Sequence, residues 1–208
     1  MISFYLDVFL LAASPFIGSF ITASSRSWPD WIRIASGRSS CDACGRRLSP
    51  LELIPVVSFL VQRGKCRACG APVSWIHPAG ELLALLAGIL AVLAFDGGWT
   101  FAAAMFGWIL LFGALVDIRT FLLPDVVTLG LIPAGLGVSY LAGGLEAVSL
   151  NGLAVLIGFA SLAVISAVYK RLRGRDGLGL GDAKLLAAGG AWAGPFALPW
   201  IVMLGAGA

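Results

Sequence analysis

Apolar residues run along this chain in long blocks. Six of them approach the length of a bilayer-crossing helix: roughly 3–23, 79–96, 99–117, 122–143, 147–169 and 183–207. About 20 consecutive apolar residues span the hydrocarbon layer as a helix. The blocks predict an all-α polytopic membrane protein of about six transmembrane helices. Between the first and second blocks lies the only extended polar segment. The chain therefore divides into a first transmembrane helix over 1–23, a loop domain over 24–78, and a five-helix membrane domain over 79–208.

Composition sharpens this picture. Apolar residues make up 59% and charged residues 12%, and the mean hydropathy is +0.95. Soluble domains carry about 25% charge and 45–50% apolar residues, so the composition argues against a soluble globule. Disorder is excluded, because the chain has ample apolar surface to bury.

The placement of charge says more than its net value of +3. Of fourteen Lys and Arg, thirteen fall in segments 24–78, 118–121 and 170–182, and Lys184 lies at the edge of the last. The alternate loops, 97–98 and 144–146, hold none. Basic loops stay in the cytoplasm, so both termini are expected outside. The first block is no cleaved signal, since the first basic residue is Arg26, on the wrong flank. Asp7 reads as an interfacial residue at the outer end.

All four cysteines lie in the loop, as Cys41-x2-Cys44 and Cys66-x2-Cys69, with 21 residues between the pairs. Glycine follows each pair, at Gly45 and Gly70. Such knuckles present four thiolates to one tetrahedral Zn²⁺. The competing uses are two disulfides or a redox CxxC. A loop in the reducing cytoplasm argues against the first, and two matched pairs in a basic insert favour metal over the second. So small a loop has little core, and zinc would supply much of its folding free energy. His77, the one histidine, reads as an interfacial capping residue. Glu81 suits the N-terminal turn of the second span.

Ionisable residues at the end of a span are functional candidates by default. Asp117, Asp125 and Asp182 qualify, all on the cytoplasmic side. Two carboxylates sharing a site hold one proton between them, so one ionises while the other stays neutral. The ionised one takes a proton from water and the neutral one donates to a scissile carbonyl, as in aspartic proteases. The ordinary roles are an N-cap for Asp125 and for Asp182, and a salt bridge to Arg119 for Asp117. For Asp125 the cap is the expected role.

Ordered motifs then narrow the choice. Pro15-Phe16-Ile17-Gly18-Ser19-Phe20 lies in the first span. The two CxxC pairs flank Glu52-Leu53-Ile54-Pro55-Val56-Val57-Ser58, and Pro78 and Glu81 follow. Val116-Asp117-Ile118-Arg119 runs into Leu122-Leu123-Pro124-Asp125, and Gly179-Leu180-Gly181-Asp182-Ala183-Lys184 closes the set. In this series the chain resembles the type IV prepilin peptidases, the GxGD-type membrane aspartic proteases of pilus and type II secretion systems. The resemblance implies a membrane aspartic endopeptidase of the bacterial inner membrane. It would remove the short basic leader of prepilins or pseudopilins at the cytoplasmic face, with Asp117 and Asp182 as the catalytic pair. Many members also methylate the new N-terminus with S-adenosylmethionine, although no nucleotide-binding motif is recognisable here. Typical members carry further C-terminal helices, so on this resemblance the chain is C-terminally short. Prepilin substrates and the lipid bilayer are the expected partners, and no nucleic acid.

Two rivals come from other classes. One is a non-enzymatic membrane assembly platform whose zinc loop docks a partner. The other is a proton-coupled transporter, which would need more polar residues deep in its spans than these blocks contain.

Overall fold

An apolar segment in lipid has no water to bond its amides, so it closes its hydrogen bonds within itself as a helix. The computed structural model describes residues 2–30, 37, 39–175 and 179–206. Arg33, Arg38, positions 176–178 of the last basic segment and Gly207 of the sixth block lie outside the described residues. The helices are α1 (Ile2–Arg26), α2 (Val57–Val61), α3 (Ile76–Ala94), α4 (Gly98–Thr120), α5 (Asp125–Arg173), α6 (Leu180–Ala193) and α7 (Leu198–Ala206). Among the described residues there is no strand, only isolated bridges joining Ser40 to Arg47 and Lys65 to Pro72. Four helices are long and apolar enough to cross a membrane: α1 from Ser3, α3, α4 and α5. The chain is thus an all-α membrane protein with one inserted loop.

Two features depart from six uniform rods. The 49-residue α5 would be about 74 Å long if straight, more than twice the hydrocarbon thickness. It is broken at Gly143 (φ −149°, ψ 17°) and Gly144 (φ 65°, ψ −151°), beside the 144–146 gap between the fourth and fifth apolar blocks. The sixth block, expected as one helix over 183–207, is not one helix. α6 starts earlier, at Leu180, and stops after 14 residues. Gly194 turns with φ 76°, Pro195–Ala197 form a single 3-10 turn, and α7 follows. Proline at 195 cannot donate to the ladder, and glycine takes the left-handed turn before it at no steric cost. Hydropathy alone does not register that interruption.

The described chain packs as two units, one up to Thr120 and one from Phe121. In the first, α1 packs on α3, and α4 on both. The α1–α3 seam is made of small residues four apart: Ser14, Gly18 and Thr22 against Gly80, Ala84 and Gly88. A Cβ at Gly80 would lie 1.9 Å from Thr22 Oγ1, one at Gly18 2.7 Å from Ala84 Cβ, and one at Gly88 2.5 Å from Ser14 Oγ. The hydroxyls bond within their own helix, Ser14 to Leu10 O at 2.7 Å and Thr22 to Gly18 O at 2.8 Å. Trp108 Nε1 donates to Ala84 O at 3.0 Å, tying α4 to the same helix.

In the second unit α6 lies along both limbs of α5. Gly135 meets Trp192, while Gly158 and Gly190 meet Leu186 and Ala154. Asn151 Nδ2 donates to Ser139 Oγ at 2.7 Å and to Ala191 O at 3.1 Å. One amide thus joins the two limbs across the Gly143–Gly144 break and holds both to α6.

The seam makes a specific expectation. Gly18→Val drives a side chain into the backbone of α3 and should cost about 1–3 kcal/mol or more. Gly130→Ala, with open space around it, should be neutral or stabilising. Unfolding by dodecyl sulfate in mixed micelles reads both.

Candidate functional site

The two cysteine pairs fold into the same turn, repeated 25 residues apart. Cys41 N donates to Arg46 O and Cys66 N to Ala71 O, both at 2.9 Å. Gly45 and Gly70 return their N–H groups to the carbonyls of Cys41 and Cys66, also at 2.9 Å. Both glycines sit near φ 70°, in the left-handed region where a side chain is strained. The second turn aims backbone N–H groups at its sulfurs. Those of Cys69 and Ala68 pull the Cys66 thiol down to about 6. The Ala71 N–H works the same way on Cys69, but burial and the three neighbouring thiols outweigh it and push that thiol up to about 11. Of the two, Cys66 is the one that favours its thiolate.

All four cysteines are free thiols, and their sulfurs lie within 4.8 Å of one another. Cys41 Sγ and Cys69 Sγ are 3.9 Å apart. A tetrahedral thiolate site with bonds of about 2.3 Å needs sulfurs roughly 3.8 Å apart. The cluster fits one metal ion with sub-ångström adjustment.

Around the sulfurs lies a second layer that spacing does not reveal. Arg46 stands beside Cys66 and is paired with Glu52. Glu52 is buried and also accepts Ser49 N–H at 2.9 Å. That N–H first, with Arg46 after it, holds the Glu52 carboxyl below the usual range against the cost of burial. The chain Glu52–Arg46–Cys66 therefore fixes a cation beside a thiolate.

Two further ties join the loop to the helices of its unit. Arg26, the last residue of α1, bonds Asp42 at 3.0 Å, between the first two cysteines, and donates to His77 Nε2 at 3.4 Å. His77 is thus the partner of an arginine. Glu81 is buried in α3 and accepts Val56 N–H at 2.7 Å. Val56 has φ 60° and ψ −51°, rare for a β-branched residue, so that bond holds a strained backbone in place.

The aspartates differ from one another. Asp117 is exposed in the last turn of α4. It forms no ion pair among the described residues, because Arg119 instead donates to Ser25 O at 3.3 Å. Asp125 is not an N-cap. Pro124 holds that position, and the Asp125 carboxylate bonds Lys184 Nζ at 2.5 Å. Asp182 is not an N-cap either, since Gly179 is. Asp182 lies exposed in the first turn of α6. Gly181 lets that turn approach Leu123, whose Cβ would be 3.3 Å from an added one. The structure therefore gathers the four cysteines into one cluster. Asp117 belongs to the first packing unit and Asp182 to the second.

These features meet known proteins in two stretches. Residues 13–95 match the bacterial peptidase A24 N-terminal domain, and residues 104–207, half of the chain, match the type IV leader peptidase family. The chain belongs to the type IV leader peptidase family. Among its relatives is a prepilin leader peptidase/N-methyltransferase of Aeromonas hydrophila, 39% identical over 168 residues, or 80% of this chain and 58% of the relative. Proteins of the same name from Burkholderia pseudomallei (strain 1026b) and Bacillus subtilis (strain 168) are 40% and 36% identical. They cover 86% and 82% of this chain, and 58% and 67% of their own length. The chain thus spans under three-fifths of the first of these relatives. No solved structure matches it.

In this leader-peptidase-family chain, the cysteine cluster and Glu81 fall in the first matched stretch, and Asp117, Asp125 and Asp182 in the second. The Arg46–Glu52 pair yields a test. Arg46→Ala should weaken metal binding about 10–100-fold, while Arg47→Ala leaves it unchanged. Cys66→Ser should lower the metal bound per chain. Competition with a chromogenic chelator on the purified full chain measures all three.

Proposed function

We propose that this chain is a membrane aspartic endopeptidase that removes the basic leader of prepilins or pseudopilins at the cytoplasmic face of a bacterial inner membrane. Asp117 and Asp182 are its catalytic carboxylates. The observation that carries this reading is how the acids divide. Glu52, Glu81 and Asp125 are engaged by Arg46, Val56 N–H and Lys184. Asp117 and Asp182 are exposed at helix ends inside the stretch that matches the leader peptidases.

The chemistry needs no nucleophilic side chain. One carboxylate takes a proton from water as its oxygen bonds to the scissile carbonyl carbon. The other, protonated, donates to the carbonyl oxygen. Collapse of the tetrahedral intermediate breaks the C–N bond, and a proton passes to the departing amine. We assign zinc to the four cysteines, on their all-thiolate tetrahedral fit, as a structural ion for the loop. The name of the relatives also supports methyl transfer from S-adenosylmethionine to the newly exposed N-terminus, which we include in the proposal.

Purified chain in detergent, given a prepilin, tests the reaction. Asp117→Asn and Asp182→Asn should each lower leader removal by at least about 100-fold. Asp125→Asn should cost no more than an exposed ion pair, about 1 kcal/mol or less. Normal cleavage by both of the first two variants would sink the assignment and favour an assembly role.

The mechanism also requires both aspartates at one membrane face. We propose six crossings, with both termini outside and the basic segments in the cytoplasm. Reporters fused at Gly98 or Gly144 should read as external, and those at Gly64 or Gly174 as cytoplasmic. Opposite readings at Gly64 and Gly174 would separate Asp117 from Asp182 and end the two-aspartate mechanism.

A further inference from the structure

The loop carries large apolar side chains that neither the sulfur cluster nor the helices cover. Leu60 and Val61 of α2 are 65% and 66% exposed, and Trp75 is 73% exposed. Phe59 backs Trp75 with ring centroids 4.8 Å apart. The two rings line a groove that also includes Leu60, Arg63 and Lys65. A contiguous exposed patch of this kind marks a surface that something covers.

Its position says what. Glu81 lies five residues into α3, about 7.5 Å of helical rise. Its carboxylate holds Val56 N–H, and α2 begins at the next residue. The start of α2 is therefore pinned beside the first turns of α3. Trp75 is the residue immediately before α3, a helix long and apolar enough to cross a membrane. The patch thus sits at the level where α3 leaves the hydrocarbon, where tryptophan is enriched. Arg63 and Lys65 are exposed on the same groove, and cations at that level meet anionic headgroups.

We propose that this face of the loop rests on the lipid surface. Val57, Leu60, Val61 and Trp75 enter the interface, and Arg63 and Lys65 stand against anionic headgroups. The occupant is lipid and not a basic peptide, which the two cations repel. The contact fixes the height of the metal-binding loop over the bilayer and does not depend on the catalytic assignment.

Full-length protein in lipid nanodiscs, which leave both faces open to buffer, tests this. The Trp75 signal is the fluorescence difference between the parent chain and Trp75→Phe. With phosphatidylglycerol and phosphatidylcholine carrying brominated acyl chains, that signal should be quenched by the lipid and shielded from iodide. Arg63→Gln with Lys65→Gln should weaken docking roughly five-fold per cation, in discs with phosphatidylglycerol and not in those without. Metal content equal to the parent shows that each variant keeps its loop. If Trp75→Phe loses metal, Leu60→Trp reports from the same face. Quenching by iodide and not by bromolipid would place the face in water. Protection from both would mean that protein, such as a second copy, covers it. Either result overturns the proposal, and a double variant without effect in anionic discs overturns the headgroup contact.

Discussion

Helices in lipid gain nothing by hiding apolar surface from one another, since the tails around them are as apolar as leucine. Their association rests on how closely two backbones approach. In the first unit that approach is set by three small residues on α1 meeting three on α3. Gly18 and Gly80 are in such close contact that no β-carbon fits at either position without movement. In the second, Gly158 and Gly190 perform the same service between α5 and α6. Polar side chains then add direction. Trp108 and Asn151 each reach a backbone carbonyl of a neighbouring helix, a bond that has no water to replace it.

The loop is held by other means. Of its four cysteines only Cys66 is buried. A metal ion held by the four sulfurs would stand in for a core, and what remains of the fold is a set of tethers. Arg26 carries the end of α1 to Asp42, between Cys41 and Cys44. Glu81 carries α3 to the strained backbone at Val56. The two tethers come from the two helices whose small residues mesh, so the four-sulfur cluster rests on the α1–α3 seam.

Much of this was legible in the sequence, and what was not has physical causes. The membrane class, the loop and the break in α5 followed from hydropathy, and the four-sulfur cluster from spacing. The small-residue seam was present as well, in the four-residue intervals of Ser14, Gly18 and Thr22 and of Gly80, Ala84 and Gly88, but a seam becomes visible only when two such rows are matched. The single sixth helix failed because hydropathy averages over Gly194-Pro195, both compatible with an apolar block. The cap expected at Asp125 failed because Lys184, 59 residues away, offers the carboxylate a stronger partner than a backbone amide. Arg46 and Glu52 were readable only as charges, since pairing depends on how the knuckle turns.

The pairing of Lys184 bears on the reading of Asp182. The two residues stand two apart in the first turns of α6, where side chains point to different faces. Lys184 is therefore turned away from Asp182 within α6 itself. Asp125 binds that lysine from α5. Unpaired charge is costly inside a bilayer and tolerable only near its edge. A carboxylate that must stay free for chemistry therefore belongs in a terminal turn, with competing cations tied elsewhere. Asp182 meets both conditions in the first turn of α6, with Lys184 on another face of that helix and paired with Asp125. Asp117 meets them through the last turn of α4 and the engagement of Arg119 by the Ser25 carbonyl.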